Sequence, residues 1–210
     1  GSIETDVLLV NDELYVAHEA VEINKERTLD DLYLKPLQTL IKENEGFPYP
    51  DPKAKLLFLI DLKTNGDTTL PVLVRKLAKY QDLIKNKNIQ FVISGERPQP
   101  NLWDYYPDYI YFDGTPGVNY TAMQLKRVGF FSTNFQNFTK WNGTGKLPQV
   151  EETKMRQAID SVHQLNKKWR FWATPDNVNS WKTLMNLGVD YIGTDDVNGL
   201  TTFLKKVPAK

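Results

Sequence analysis

Glu4 and Asp6 stand two residues apart in the opening stretch IETDVLLV, and Asp61 and Lys63 repeat that spacing in FLIDLK. Residues i and i+2 of a β-strand share a face, so each stretch, as a strand, presents its two polar side chains together. Three carboxylates gathered on adjacent strand faces repel one another strongly unless a cation lies among them. The chain has no cysteine to offer a thiolate. Hard oxygen donors alone point to one divalent cation, Mg²⁺ or Ca²⁺, with Glu4, Asp6 and Asp61 as ligands. The competing reading pairs the same acids with lysines on a solvated face. The apolar residues flanking them weigh against it, because strands so composed are buried.

His18 follows a turn at Asn11-Asp12. A two-residue loop there sets His18 opposite Thr5, and a three-residue loop, Asn11-Asp12-Glu13, sets it opposite Asp6. Catalytic use of His18 therefore predicts the longer loop, and a structural histidine is the open alternative. His163, on a helical stretch with Lys and Gln neighbours, reads as a surface or packing residue.

The elements that must position these groups follow from hydrophobic period. Short apolar runs at 2–9, 56–62, 89–94, 109–112, 128–132, 169–174 and 190–193 read as core strands, with 13–18 returning as a hairpin arm. Between them, helical patterns appear in RTLDDLYLKPLQTLIKEN (capped at Thr28 and disturbed by Pro36), TTLPVLVRKLAKYQDLI, ETKMRQAIDSVHQLN, DNVNSWKTLMNLG and VNGLTTFLKK. Strands alternating with helices imply parallel pairing through right-handed crossovers. Seven such strands are one short of a (β/α)₈ barrel, and the deficit falls at the start of the chain. The expected fold is thus an α/β, TIM-type barrel lacking its first strand, as a single domain over 1–210.

Lys plus Arg equals Asp plus Glu at 26 each, so no net field draws nucleic acid or an anionic membrane. No apolar run approaches the ~18–20 residues of a membrane-spanning helix. Nearly every strand ends in polar residues, among them Ser94 with Glu96 and Arg97, Asp113, Ser132 with Asn134, and Thr174 with Asp176. Parallel barrels carry their active sites at those ends. Asp176, just before NVNSWKTL, reads as a helix cap.

At these residues the sequence resembles a known family. IETDVLLVNDELYVAHE looks like the second strand of glycerophosphodiester phosphodiesterases, and FLIDLK like the strand that completes their metal site. Asp61 stands where that family commonly has glutamate, which matches the related sphingomyelinase D enzymes. WATPD and GVDYIGTDD resemble the last two strands. Together with SGERP, YFDGTPG, STNF and KWNGTG, the chain is most similar, from residue 2 to about 204, to the bacterial and fungal branch of phosphatidylinositol-phospholipase-C-like phosphodiesterases.

The resemblance implies metal-dependent cleavage of a glycerophosphodiester or phospholipid-type phosphodiester and a small-molecule or lipid-headgroup substrate; it leaves localisation open, favouring a secreted or periplasmic setting only slightly. Under it, Glu4, Asp6 and Asp61 bind the metal, Lys63 neutralises charge growing on the phosphoryl group, and His18 is one of two acid/base groups. Arg97 clamps the phosphate or anchors its own loop. Trp172 walls the pocket or packs in the barrel core. Asn134 and the loop at 141–145 line the headgroup side. The family's first strand carries a histidine partner for His18 that no residue here matches. The resemblance thus implies an upstream strand and little activity without it. Two other functions fit the same residues: a barrel that binds a phosphorylated headgroup without turnover, and a glycoside hydrolase using paired carboxylates.

Overall fold

A computed structural model describes residues 1–207, and they fall into two compact units. The first unit comprises Gly1–Asp113 and Tyr120–Gly129, the second Gly114–Asn119 and Phe130 onward.

In the first unit, β1 (Ser2–Val10), β2 (Glu13–Val16), β3 (Leu56–Leu62), β4 (Ile89–Gly95) and β5 (Ile110–Gly114) lie in the order β2-β1-β3-β4-β5. β2 runs antiparallel to β1, and the other pairings are parallel. β3 (LLFLIDL) is buried at every position except half-buried Asp61, as its unbroken apolar run dictates. Phe58, Ile60, Phe91, Ile93, Trp103 and Phe112 fill the core, with the Trp103 and Phe112 rings stacked 4.4 Å apart.

The turn between β1 and β2 is Asn11-Asp12 alone, with Val10 paired to Glu13. Both turn residues are left-handed, φ 50° and 64°, the geometry whose twist suits a two-residue hairpin. The three-residue loop expected for a catalytic His18 is therefore not the one formed. The first half of β1 also departs from expectation: Ser2, Ile3 and Glu4 are exposed.

Thr28 accepts a hydrogen bond from the Asp31 amide at 3.1 Å, as a cap should. The helix it starts does not run evenly. Asp30–Leu34 forms a wide turn in which the Lys35 amide reaches back five residues to the Asp30 carbonyl, and α1 (Lys35–Glu43) follows. Pro36 has no amide hydrogen and its ring crowds the preceding turn, so the wider turn relieves the clash. α2 (Gly66–Leu77) is capped by Asn65, and α3 (Gln81–Ile84) is separate from it rather than continuous. One helix was not anticipated: α4 (Ala122–Arg127), opened by a reciprocal Thr121/Gln124 cap. Its six residues are too few for a hydrophobic period to register, although the Thr-x-x-Gln spacing was readable.

The second unit holds most of β6 (Val128–Asn134), then α5 (Gln149–His163), β7 (Trp169–Trp172), α6 (Val178–Leu187), β8 (Tyr191–Ile192) and α7 (Val197–Leu204), with β6, β7 and β8 parallel in that order. Phe135, Trp169 and Phe171 are its buried aromatic centre. His163 Nε2 lies 2.8 Å from Asp190 Oδ2, which also accepts from the Trp169 amide at 2.8 Å. That is the packing role its neighbours suggested.

A buried charge network binds the first unit's hairpin to its helices. Lys76 Nζ on α2 meets Glu13 Oε1 at 2.7 Å and also Asp30, whose other oxygen accepts from the Tyr80 hydroxyl at 2.6 Å. Burial alone would raise the Asp30 pKa, but the Lys76 and Tyr80 hydrogen bonds and the Lys76 charge outweigh it, and the net shift is downward. A depressed carboxylate stabilises the fold fully above its unfolded value, near pH 4, and that contribution fades as pH falls through the folded value. Asp30→Ala is expected to cost about 1–2 kcal/mol at pH 7, since it strips one of two carboxylate partners from a part-buried lysine. Urea unfolding at pH 7 and pH 3 checks both points: the gap between wild type and variant should narrow at the lower pH.

Candidate functional site

The parallel pairing of β1 and β3 sets Asp6 directly beside Asp61. One ligand atom each from Glu4, Asp6 and Asp61 falls within 4.8 Å of the others, so the two spacings seen in the sequence do converge. Lys63 is held just past the end of β3 by its amide, which donates to the Val7 carbonyl at 2.9 Å. Its Nζ donates to Asp61 Oδ2 at 2.9 Å and lies 3.4 Å from Asp6 Oδ1. Burial would depress the ammonium pKa, but the Asp61 hydrogen bond and the charges of both acids prevail and hold it above the ordinary lysine value.

His18 reaches the cluster by an unexpected route. Extending the observed register would put it opposite Thr5, yet β2 stops at Val16. Beyond that point the chain leaves the ladder, and the Glu22 carboxylate accepts from the His18 and Glu19 amides at 3.0 and 3.1 Å. The strand's alternation no longer applies, and His18 Nδ1 comes to 2.7 Å from Asp6 Oδ2. With Nδ1–H donating to the carboxylate, Nε2 is left with a lone pair for a proton. The His18 side chain is 64% exposed.

The residues fit a divalent cation. Three carboxylates each bring one oxygen within 4.8 Å of the others, the hard-donor set such an ion takes, and Asp61 Oδ1 lies buried with no hydrogen-bond partner. The strand beside it is shaped around that oxygen. Gly95, at the end of β4 with φ +69°, would place a Cβ 2.0 Å from Asp61 Oδ1 and 2.3 Å from the Leu62 carbonyl oxygen. Sequence reasoning passed over this glycine. Its position directly after a strand-end serine was the available signal.

Arg97 Nη1 donates to the Gly95 carbonyl at 3.4 Å and its amide to the same oxygen at 2.8 Å, the contacts of the loop-anchor alternative. Asn134 and Trp172 belong to the second unit, where they are register partners at the ends of β6 and β7. Asn134 Oδ1 accepts from the Gln136 amide at 2.8 Å. Trp172 is 44% exposed rather than packed in a core, because β7 ends there and Ala173 turns away in a left-handed conformation, φ 54°. The loop at 141–145 is fixed by Asn179 Nδ2, which donates to the Gly143 and Gly145 carbonyls at 2.8 Å each. Asp176 is not the cap expected of it: Asn177 caps α6. Asp176 instead accepts from Trp181 Nε1, the Thr194 hydroxyl and the Asp195 and Asp196 amides. Burial opposes ionisation there, and these hydrogen bonds outweigh it to lower its pKa.

Two family models match the sequence: the AIM6-like phosphodiesterase domain over residues 1–87 and the glycerophosphoryl diester phosphodiesterase family over residues 168–198. Among solved structures, the chain is similar to a glycerophosphodiester phosphodiesterase from Parabacteroides distasonis, with TM-score 0.57, 14% identity and 97% of this chain and 83% of that one covered. It is also similar to a protein described as a glycerophosphoryl diester phosphodiesterase from Agrobacterium tumefaciens, with TM-score 0.52, 13% identity and coverage of 97% and 85%. The fold is accordingly the α/β, TIM-barrel type of these proteins. The family-model matches and the solved structures alike make the chain similar to glycerophosphodiester phosphodiesterase-like proteins.

Among curated proteins, it is 27% identical to the Altered inheritance of mitochondria protein 6 homolog of Arthroderma benhamiae, matching 94% of this chain and 72% of that protein. It is 23% identical to Altered inheritance of mitochondria protein 6 of Eremothecium gossypii, matching 97% of this chain and 63% of the relative's length.

Gly117, also left-handed at φ +83°, has nothing within 4 Å of where a Cβ would stand and so serves as a control for Gly95. Both alanine variants should lose about 1 kcal/mol for the left-handed backbone. Gly95→Ala should lose roughly 1–3 kcal/mol more from overpacking against Asp61 and Leu62. Thermal unfolding of the pair measures the difference.

Proposed function

We propose that the chain is a metal-dependent phosphodiesterase that cleaves a glycerophosphodiester or phospholipid-type phosphodiester by acid/base catalysis. The observation that carries this reading is the meeting of Glu4, Asp6 and Asp61 within 4.8 Å, with Lys63 and His18 bonded to those same acids. A Mg²⁺ or Ca²⁺ ion bound there would supply Lewis acidity at a phosphoryl oxygen and lower the pKa of an attacking hydroxyl. His18, oriented by Asp6 through Nδ1, takes or returns a proton at Nε2. Lys63 keeps a full positive charge beside the acids and offsets negative charge developing on the phosphoryl oxygens.

With a divalent cation bound, three acids and a lysine would present cationic groups to an anionic substrate, whereas a sugar needs only two carboxyl groups. A second reading keeps headgroup binding and drops turnover. It is favoured by the single imidazole at the cluster, since the chain's other histidine is bonded to Asp190.

Calorimetric titration with Mg²⁺ and Ca²⁺ should register binding by wild type and little or none by Asp61→Asn. Equal binding by the two proteins would remove Asp61 from the site. Assays on glycerophosphodiesters, lysophospholipids and phosphatidylinositol should give metal-dependent turnover, reduced about 10²–10⁴-fold in His18→Ala. Headgroup binding with no turnover of any of these would select the second reading.

A further inference from the structure

The end of β4 carries a second unmet polar atom. Ser94 is the register partner of Asp61 on the neighbouring parallel strand, so the two side chains rise from the same face with Cα atoms about 4.8 Å apart. Ser94 is only 6% exposed, and its Oγ, like Asp61 Oδ1, is buried without a hydrogen-bond partner. A hydroxyl is a donor and a carboxylate oxygen an acceptor, so each is what the other lacks. Asp61 Oδ2 is already directed to Lys63, while Oδ1 is turned toward β4 and lies in the notch left by Gly95.

We propose that Ser94 is the positioning residue of Asp61: with the cation bound, its hydroxyl donates to Asp61 Oδ1 and fixes the carboxylate plane, aiming Oδ2 into the cluster. The inference rests on the metal-site reading above and deepens it by a residue that acts through Asp61 rather than on substrate. A carboxylate free to rotate about its Cβ–Cγ bond loses part of its ligand geometry on every excursion, and a donor on one oxygen stops that rotation. Partners of this kind typically change metal affinity by about 10- to 100-fold when removed. Glycine at 95 serves the same end, since any side chain there would push Oδ1 away from Ser94.

Calorimetric titration of Mg²⁺ and Ca²⁺ into wild type, Ser94→Ala and Ser94→Thr, paired with melting curves in chelator, tests the assignment. Ser94→Ala should bind the cation about 10- to 100-fold more weakly yet melt no lower than wild type in chelator, because the Ser94 hydroxyl has no hydrogen-bond partner within the fold. Ser94→Thr, which keeps a hydroxyl, should recover most of the affinity. Unchanged affinity in Ser94→Ala, or loss in both variants, overturns the positioning role while leaving the metal site standing. Wild type that binds neither cation overturns the metal-site reading and this inference with it.

Discussion

Two carboxylates at matched positions on neighbouring parallel strands have Cα atoms about 5 Å apart, and Asp6 and Asp61 are so placed. At that range their mutual repulsion would work against the sheet that holds them. Lys63 answers it from within the chain, bonded to Asp61 and close to Asp6. The lysine can do so because its backbone stays in the ladder with Val7 while its side chain points back along β3. One built-in cation for three acids offsets part of their repulsion and leaves the cluster with net negative charge. The arrangement differs from small metal sites whose chains stay unfolded until the ion arrives.

The sequence made this cluster legible through period alone. A spacing of two, repeated in two apolar stretches, is sufficient to bring Glu4, Asp6 and Asp61 to one face once the strands pair in parallel. The buried-strand reasoning that supported it holds at Asp61 and fails at Glu4, because the first residues of β1 are exposed. His18 was traced by extending a strand register. That method breaks down where the strand ends, and Val16 is two residues short of the histidine. Gly95, and the relation of Ser94 to Asp61, escaped for a different reason: what distinguishes them is a missing Cβ and an unmet hydroxyl, neither of which has a sequence period. Asp176 was misread because two adjacent residues, Asp176 and Asn177, were both chemically fit to cap α6, and only the backbone decides between them.

The strands and most helices were likewise readable, since long apolar runs and 3.6-residue patterns arise directly from burial. The exceptions are local. The disturbance expected at Pro36 took the form of a widened turn, which the residue types did not specify. α4 was too short for its pattern to emerge and is fastened instead by Arg127, whose guanidinium donates to the Tyr106, Pro107 and Ile110 carbonyls at 2.9–3.1 Å. A buried arginine meeting three backbone oxygens is a tertiary device with no local signature.

His18 is joined to the acids by one hydrogen bond, while most of its ring stands in water. An imidazole so placed exchanges protons directly with bulk solvent and buffer. No chain of internal donors is needed to reach it, and the interior of the fold is spared the polar wiring that a buried imidazole would demand.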